Sequence, residues 1–227
     1  MAIKKAKVIT VTSVKGGTGK TTTVLNLASI LAGKQIKTLV LDLDLYTGSI
    51  AASLNLNQEK DIYIMCDDMI NNRFNAVEDY VTKYNEYIDV LACPLDPRSV
   101  SKITTDYLEI IISRLVTKYD VILIDTNHVM DAKSLIVLDS SDEVLYVITN
   151  DLMDIKNMKT MIAIFKDMEY DKYKIILNEA RPNNTKYTNE DIEAILETNV
   201  NYVIPKRFYN KNIDGPYVLY NLKHTIG

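Results

Sequence analysis

The sequence predicts an α/β fold, three layers deep (α/β/α) around a mostly parallel, twisted central sheet. Three observations carry this expectation. The runs Val8–Thr12, Thr38–Asp44 and Tyr119–Thr126 are β-branched or aliphatic without helical period, as strands buried on both faces are. Segments with apolar residues at helical spacing alternate with such runs. The first strand-like run also passes through a glycine-rich stretch, Val14-Lys15-Gly16-Gly17-Thr18-Gly19-Lys20-Thr21-Thr22, directly into a helix-like one.

That stretch predicts a phosphate cradle. Its glycines let the backbone turn tightly and aim successive N–H groups inward, and the helix N-terminus that follows adds its dipole. The nucleotide-binding set is Gly16, Gly17, Thr18, Gly19, Lys20, Thr21 and Thr22. Lys20 is expected to meet the β- and γ-phosphates of ATP, and the Thr21 hydroxyl to ligate Mg²⁺.

Composition bounds the remaining readings. A chain of 227 residues, 47% hydrophobic and 25% charged, suits one well-buried domain over residues 1–227. A net charge of −4 and a pI near 5.3 argue against a surface that attracts nucleic acid throughout, so DNA is not favoured as a partner. Cys66 and Cys93 lie far apart, outside any metal-ligand spacing, and read as reduced structural thiols. No apolar run reaches the length of a membrane span and no signal-peptide core precedes the first strand, so a cytoplasmic chain without an integral membrane segment is expected.

Taken in order, Thr23–Ala32 has helical spacing, with Gly33 as its expected stop. The strand Thr38–Asp44 sets Asp42 and Asp44 two residues apart at its carboxyl end, where ligands bind in open α/β sheets. Ile62–Phe74 reads as a helix with Cys66 and Met69 inward, and Tyr87–Ala92 as a strand ended by Pro94 and Pro97. A helix from Thr104 to Thr117 turns Tyr107, Leu108, Ile111, Ile112 and Leu115 toward the core. The run 119–126 closes on Asp125, a pattern that would hold the water shell of Mg²⁺. A strand within 141–151 precedes a helix from Asp154 to Met168, and Lys174–Asn178 is a further strand. Thr188 caps a helix with an acidic first turn, and Val203-Ile204-Pro205 ends the last strand.

The lysine directly before the glycines, Lys15, makes the loop resemble the deviant Walker A signature of the MinD/ParA superfamily of P-loop ATPases. The resemblance runs from Lys7 to about Tyr220. It implies the P-loop NTPase fold and a homodimer that forms with ATP, in which Lys15 touches the nucleotide of the other subunit. It also gives Asp44 the attacking water, Asp42 support of Mg²⁺ through water, and Asn178 the adenine, with Arg181 flanking the base and the backbone at Pro205 reaching it. The catalytic set is then Lys15, Lys20 and Asp44, and the metal set Thr21, Asp42 and Asp125. Thr126-Asn127-His128 departs from the prolines the superfamily often carries after the Asp125 position. His128 is a weaker candidate base, since Asp44 already fills that role.

Within the superfamily, Leu41–Ala51 with Leu54–Asn57, Ile155 and Asn157, and Asp191–Glu193 resemble the CpaE/TadZ pilus-assembly ATPases, although this chain begins at the first ATPase strand and no separate N-terminal receiver domain is expected. The resemblance implies slow, Mg²⁺-dependent ATP hydrolysis, a protein partner in a pilus or secretion assembly, and recruitment to the inner face of the membrane or the cell pole. The alternatives are a ParA-like partition ATPase on non-specific DNA and a MinD-like cell-division ATPase. A basic cluster, Lys206, Arg207 and Lys211, is the one feature that favours DNA, and the tail Tyr217–Gly227 is too weakly basic for a membrane anchor.

Overall fold

A computed structural model describes residues 5–179 and 187–205. The expectations for Arg181, for Lys206, Arg207 and Lys211, and for the tail Tyr217–Gly227 lie outside these residues. In chain order the elements are β1 (Lys7–Thr12), α1 (Lys20–Gly33), β2 (Thr38–Leu43), α2 (Ile50–Ser53), α3 (Ile62–Ile70), β3 (Thr82–Lys83), β4 (Ile88–Leu91), α4 (Thr105–Leu115), β5 (Val121–Thr126), α5 (Ala132–Asp139), β6 (Glu143–Thr149), α6 (Leu152–Asp167), β7 (Tyr173–Asn178), α7 (Asn189–Leu196) and β8 (Tyr202–Ile204). Eight strands form one sheet in the order β3-β4-β2-β5-β1-β6-β7-β8. Every described pairing is parallel except β3 with β4.

Alternation along the central strands builds the layers. In β5, Leu123 packs on the side of α1, with Val24, Leu25 and Ala28, while Ile122 and Ile124 face Leu108, Ile111 and Leu115 of α4. All six β5 residues are buried, which is why that run carries no polar alternation. On the α4 side, Ile155, Met158 and Ile162 of α6 cover Val144, Tyr146 and Ile148 of β6.

Three boundaries and two whole elements depart from the expectations. Gly33 closes α1 as its last helical residue, and it is Gln35, at φ 60°, that takes the left-handed turn out of the helix. The helix α3 stops at Ile70, and Asn72 at φ 55° turns the chain before Phe74. The helix α6 begins at Leu152 because Asp151 accepts the N–H groups of Met153 and Asp154, which puts Asp154 inside the first turn. The elements α5 and β3 have no counterpart among the expected elements: β3 is two residues long, and α5 buries only Val137 and Leu138. Thr188 does cap α7, in a full capping box with Asp191. Among the described residues no helix is long and apolar enough to cross a membrane.

Candidate functional site

Strand order brings the site together. Since β5 lies between β1 and β2, Asp125 stands in register with both Val11 and Asp42, and the glycine loop leaves β1 at the same carboxyl edge. The loop then bends through left-handed backbone at Gly17 (φ 76°) and Gly19 (φ 103°). At Gly19 a side chain is also sterically excluded, because a Cβ would sit 2.5 Å from Asn178 Nδ2. Gly19 is the N-cap of α1, and no side chain caps that helix, so the N–H groups of its first turn are left to an anion.

Lys20 and Thr21 follow at once. Lys20 is 8% exposed and donates from Nζ to Ser13 Oγ at 3.2 Å. Burial lowers its pKa, against the pull of Asp125, Asp44 and Asp154. Thr21 Oγ1 donates to Asp125 Oδ2 at 2.6 Å. Asp125 is 1% exposed and its Oδ1 has no hydrogen-bond partner among the described residues. Burial pushes its pKa up to about 6, with the Thr21 hydroxyl and the Lys20 charge acting the other way. A buried carboxylate oxygen without a partner, next to a hydroxyl and opposite an anion cradle, fits a hard divalent cation.

Asp42 and Asp44 do different things. Asp44 is half-buried and lines a cleft of about 260 Å³ with Gly17, Lys20, Thr21 and Ser49. Its Oδ1 accepts from Thr47 Oγ1 at 2.9 Å. Asp42 is fully buried and spends both oxygens on backbone N–H groups, of Asp44 at 3.1 Å and of Ile50 at 3.2 Å. Burial, followed by the charge of Asp125, raises it to about 7.

Lys15 is exposed at the rim and pairs with Asp151 of its own chain, Nζ to Oδ1, at 3.1 Å. Asn178 ends β7 beneath the loop, and its Nδ2 donates to the Thr18 carbonyl at 2.8 Å. In register, Ile204 pairs with Asn178, which sets Pro205 beside that strand end. His128 is exposed and its ring lies over Gly16, where a Cβ would meet Cε1 at 3.6 Å.

Four contributors were not singled out in the sequence. Ser13 holds Lys20, Asp151 holds Lys15, Asp154 places a buried carboxylate near both lysines, and Cys93 lies against Asp42. Only Asp151 left a local signal, an aspartate at a helix start. A second cavity, of about 200 Å³, lies between His128, Met130, Tyr146 and Met161, and among the described residues no acidic or basic side chain other than His128 lines it. The cleft at Lys20, by contrast, is lined by both a lysine and an aspartate, Lys20 and Asp44.

The comparisons agree with this geometry. Residues 9–212 match the CobQ/CobB/MinD/ParA nucleotide-binding domain. An ATP-binding protein of Methanocaldococcus jannaschii is 26% identical over 206 residues, covering 91% of this chain and 76% of the relative. Among solved structures, a ParA-family ATPase from Chlorobium tepidum superposes with a TM-score of 0.79 at 22% identity, over 89% of this chain and 84% of that one. The septum site-determining protein MinD of Pyrococcus horikoshii, complexed with Mg-ADP, gives 0.74 at 24% identity, over 88% and 82%. With the parallel sheet, the glycine loop and the match over most of its length, this chain belongs to the CobQ/CobB/MinD/ParA nucleotide-binding domain family, on the P-loop fold of the MinD and ParA ATPases.

Proposed function

We propose that this chain is a Mg²⁺-dependent ATPase that works as a dimerisation switch. The observation that carries the reading is the Thr21–Asp125 pair, with a free buried carboxylate oxygen beside Lys20 and an uncapped helix N-terminus. Gly16, Gly17, Thr18, Gly19 and Thr22 wrap the phosphates, Lys20 neutralises their charge, and Thr21 and Asp125 hold the metal. Bound there, Mg²⁺ supplies counter-charge for the phosphate oxygens. Asp44, on the opposite wall of the cleft, orients the attacking water. Asp42, besides its support of the metal through water, ties down the loop that carries Asp44. Asn178 and the backbone at Pro205 read the adenine, with Asn178 also anchoring the loop through the Thr18 carbonyl; the flanking role of Arg181 lies outside the described residues.

Lys15 supplies the switch. Its pairing with Asp151 is solvent-exposed and of a kind worth roughly 0–1 kcal/mol, so exchange for a phosphate across a dimer interface costs little. ATP can drive dimerisation only as far as it binds the dimer better than the monomer, and Lys15 is the group that makes this difference. Hydrolysis resets the dimer, slowly without a partner.

For the biological output we propose a CpaE/TadZ-like role, positioning or recruiting a pilus or secretion assembly from the cytoplasmic side, at the membrane face or cell pole. This rests on Leu45–Ser49 after Asp44 and on Ile155 and Asn157 in α6. The likeness to MinD supports a second reading, a cell-division positioning ATPase. A ParA-like role on DNA has the net charge of −4 against it. ATP turnover that requires Mg²⁺ and is lost in Asp125→Asn tests the enzymatic reading. A mobility-shift titration at low salt with ATP separates the DNA reading, and pelleting with anionic liposomes the membrane one.

A further inference from the structure

The loop that carries Asp44 is closed over a buried carboxylate. Asp42 accepts the N–H of Asp44 at one oxygen and the N–H of Ile50 at the other, so a single side chain pins both ends of residues 44–50. Gly48, between those ends, packs directly on the same carboxylate. A Cβ at Gly48 would lie 2.6 Å from Asp42 Oδ2, and closer still to Cys93 Sγ. Carboxylate, thiol and loop backbone are thus in mutual contact, with no room for a further atom between them.

Cys93 reaches this spot because β4 pairs with β2 on the side away from β5, and residue 93 follows the end of β4. Gln58 Nε2 donates to the Cys93 carbonyl at 2.7 Å, and Pro94 beside it is buried, so the backbone is held while the thiol points at Asp42. The thiol donates to that carboxylate, and burial first, then the charge of Asp42, pushes its pKa up to about 12. It is a neutral donor of small volume at physiological pH.

We propose that Cys93 is a positioning residue for hydrolysis: its thiol, against Asp42 and Gly48, fixes the loop that presents Asp44 to the cleft. This rests on the reading of the cleft as an ATPase site. Removing the thiol takes one donor from a buried carboxylate and leaves a void under Gly48, and a branched side chain pushes Gly48 outward. Serine keeps the donor with slightly less volume.

The test uses the full chain with a fluorescent reporter. The sequence contains no tryptophan, and Tyr46 in the loop is 60% exposed, so Tyr46→Trp reports on the loop alone. In that background Cys93→Ser, Cys93→Ala and Cys93→Val are compared by ATP turnover and by acrylamide quenching, with thermal melts as a check of folding. The expectation is that kcat falls about tenfold in Cys93→Val and about threefold in Cys93→Ala while KM moves less than about twofold, and that Cys93→Ser stays near the parent. Quenching of the tryptophan rises in the same order, with or without nucleotide. Folded Ala and Val variants with parental kcat and parental quenching would overturn the proposal. If the Val variant does not fold, the Ala and Ser pair decides. Ordered quenching in a parent that does not hydrolyse ATP would uphold the loop clamp and contradict the ATPase reading instead.

Discussion

Lys20 is a buried cation whose place in the fold is worth little to stability and much to binding. Its ammonium is desolvated and held by one neutral hydroxyl, Ser13. Lys20→Met is therefore expected to leave the melting temperature unchanged or raise it, while ATP affinity falls about 100-fold or more. Fluorescent-nucleotide titration beside a thermal melt checks both signs. Cys66 offers a different readout. It is fully buried in α3, and burial raises its pKa from 9.0 to about 12. Since the folded value is raised, the stability held by the neutral thiol is complete below about pH 9 and is lost as pH climbs through about 12. Urea melts should weaken over that window, and thiol labelling of Cys66 at pH 8 should track global unfolding. At this scale the sequence was most informative where chemistry needs a fixed residue order, as in Gly16–Thr22. It was silent on Ser13, which meets Lys20 across the turn of the loop itself, and on Asp154 and Cys93, which meet the site only through strands far away in sequence.

Elements with a clear apolar stripe or a full capping box were legible, and one with neither was not. Thr188 and Asp191 announce α7 three residues apart, and the structure pairs them reciprocally. Thr188→Ala should cost about 1 kcal/mol, read as a lower urea midpoint with an unchanged slope. The periodicity of α4 gave its core face correctly at Leu108, Ile111, Ile112 and Leu115, while Tyr107 is only partly buried. Ile111→Ala, at a fully buried position, should cost about 2–5 kcal/mol. By contrast α5 exposes Leu135 and buries two of its eight residues, so its apolar positions trace no clean stripe. Its start is set by Asp131, whose side chain accepts the N–H of Ser134, a single cap with no apolar stripe behind it.

For the whole molecule, the parallel order of the sheet follows from alternating strand and helix runs, and with it the convergence of loop, Asp42, Asp44 and Asp125 on one edge. What the strand runs alone could not give is which strands are neighbours, and so which carboxylate meets Thr21 and which the backbone of its own loop. Register makes Asp42 and Asp125 adjacent; hydrogen bonding then separates them, Asp42 to the backbone of its own loop and Asp125 to Thr21 with one oxygen to spare. The same scale holds the switch. In the proposed switch, the exposed Lys15–Asp151 pair is the resting place of a lysine that exchanges it for a phosphate in the second subunit. Asp151→Ala removes the cap of α6 as well as the ion pair, so it should cost the monomer about 0.5–2 kcal/mol while leaving ATP-dependent dimers intact or strengthened. Solution mass by light scattering, with and without ATP and Mg²⁺, on the wild type, Asp44→Ala and Lys15→Ala tests the central claim most directly. The account predicts ATP-dependent dimers for the wild type and Asp44→Ala and monomers for Lys15→Ala; a chain that binds ATP yet stays monomeric in all three would contradict it.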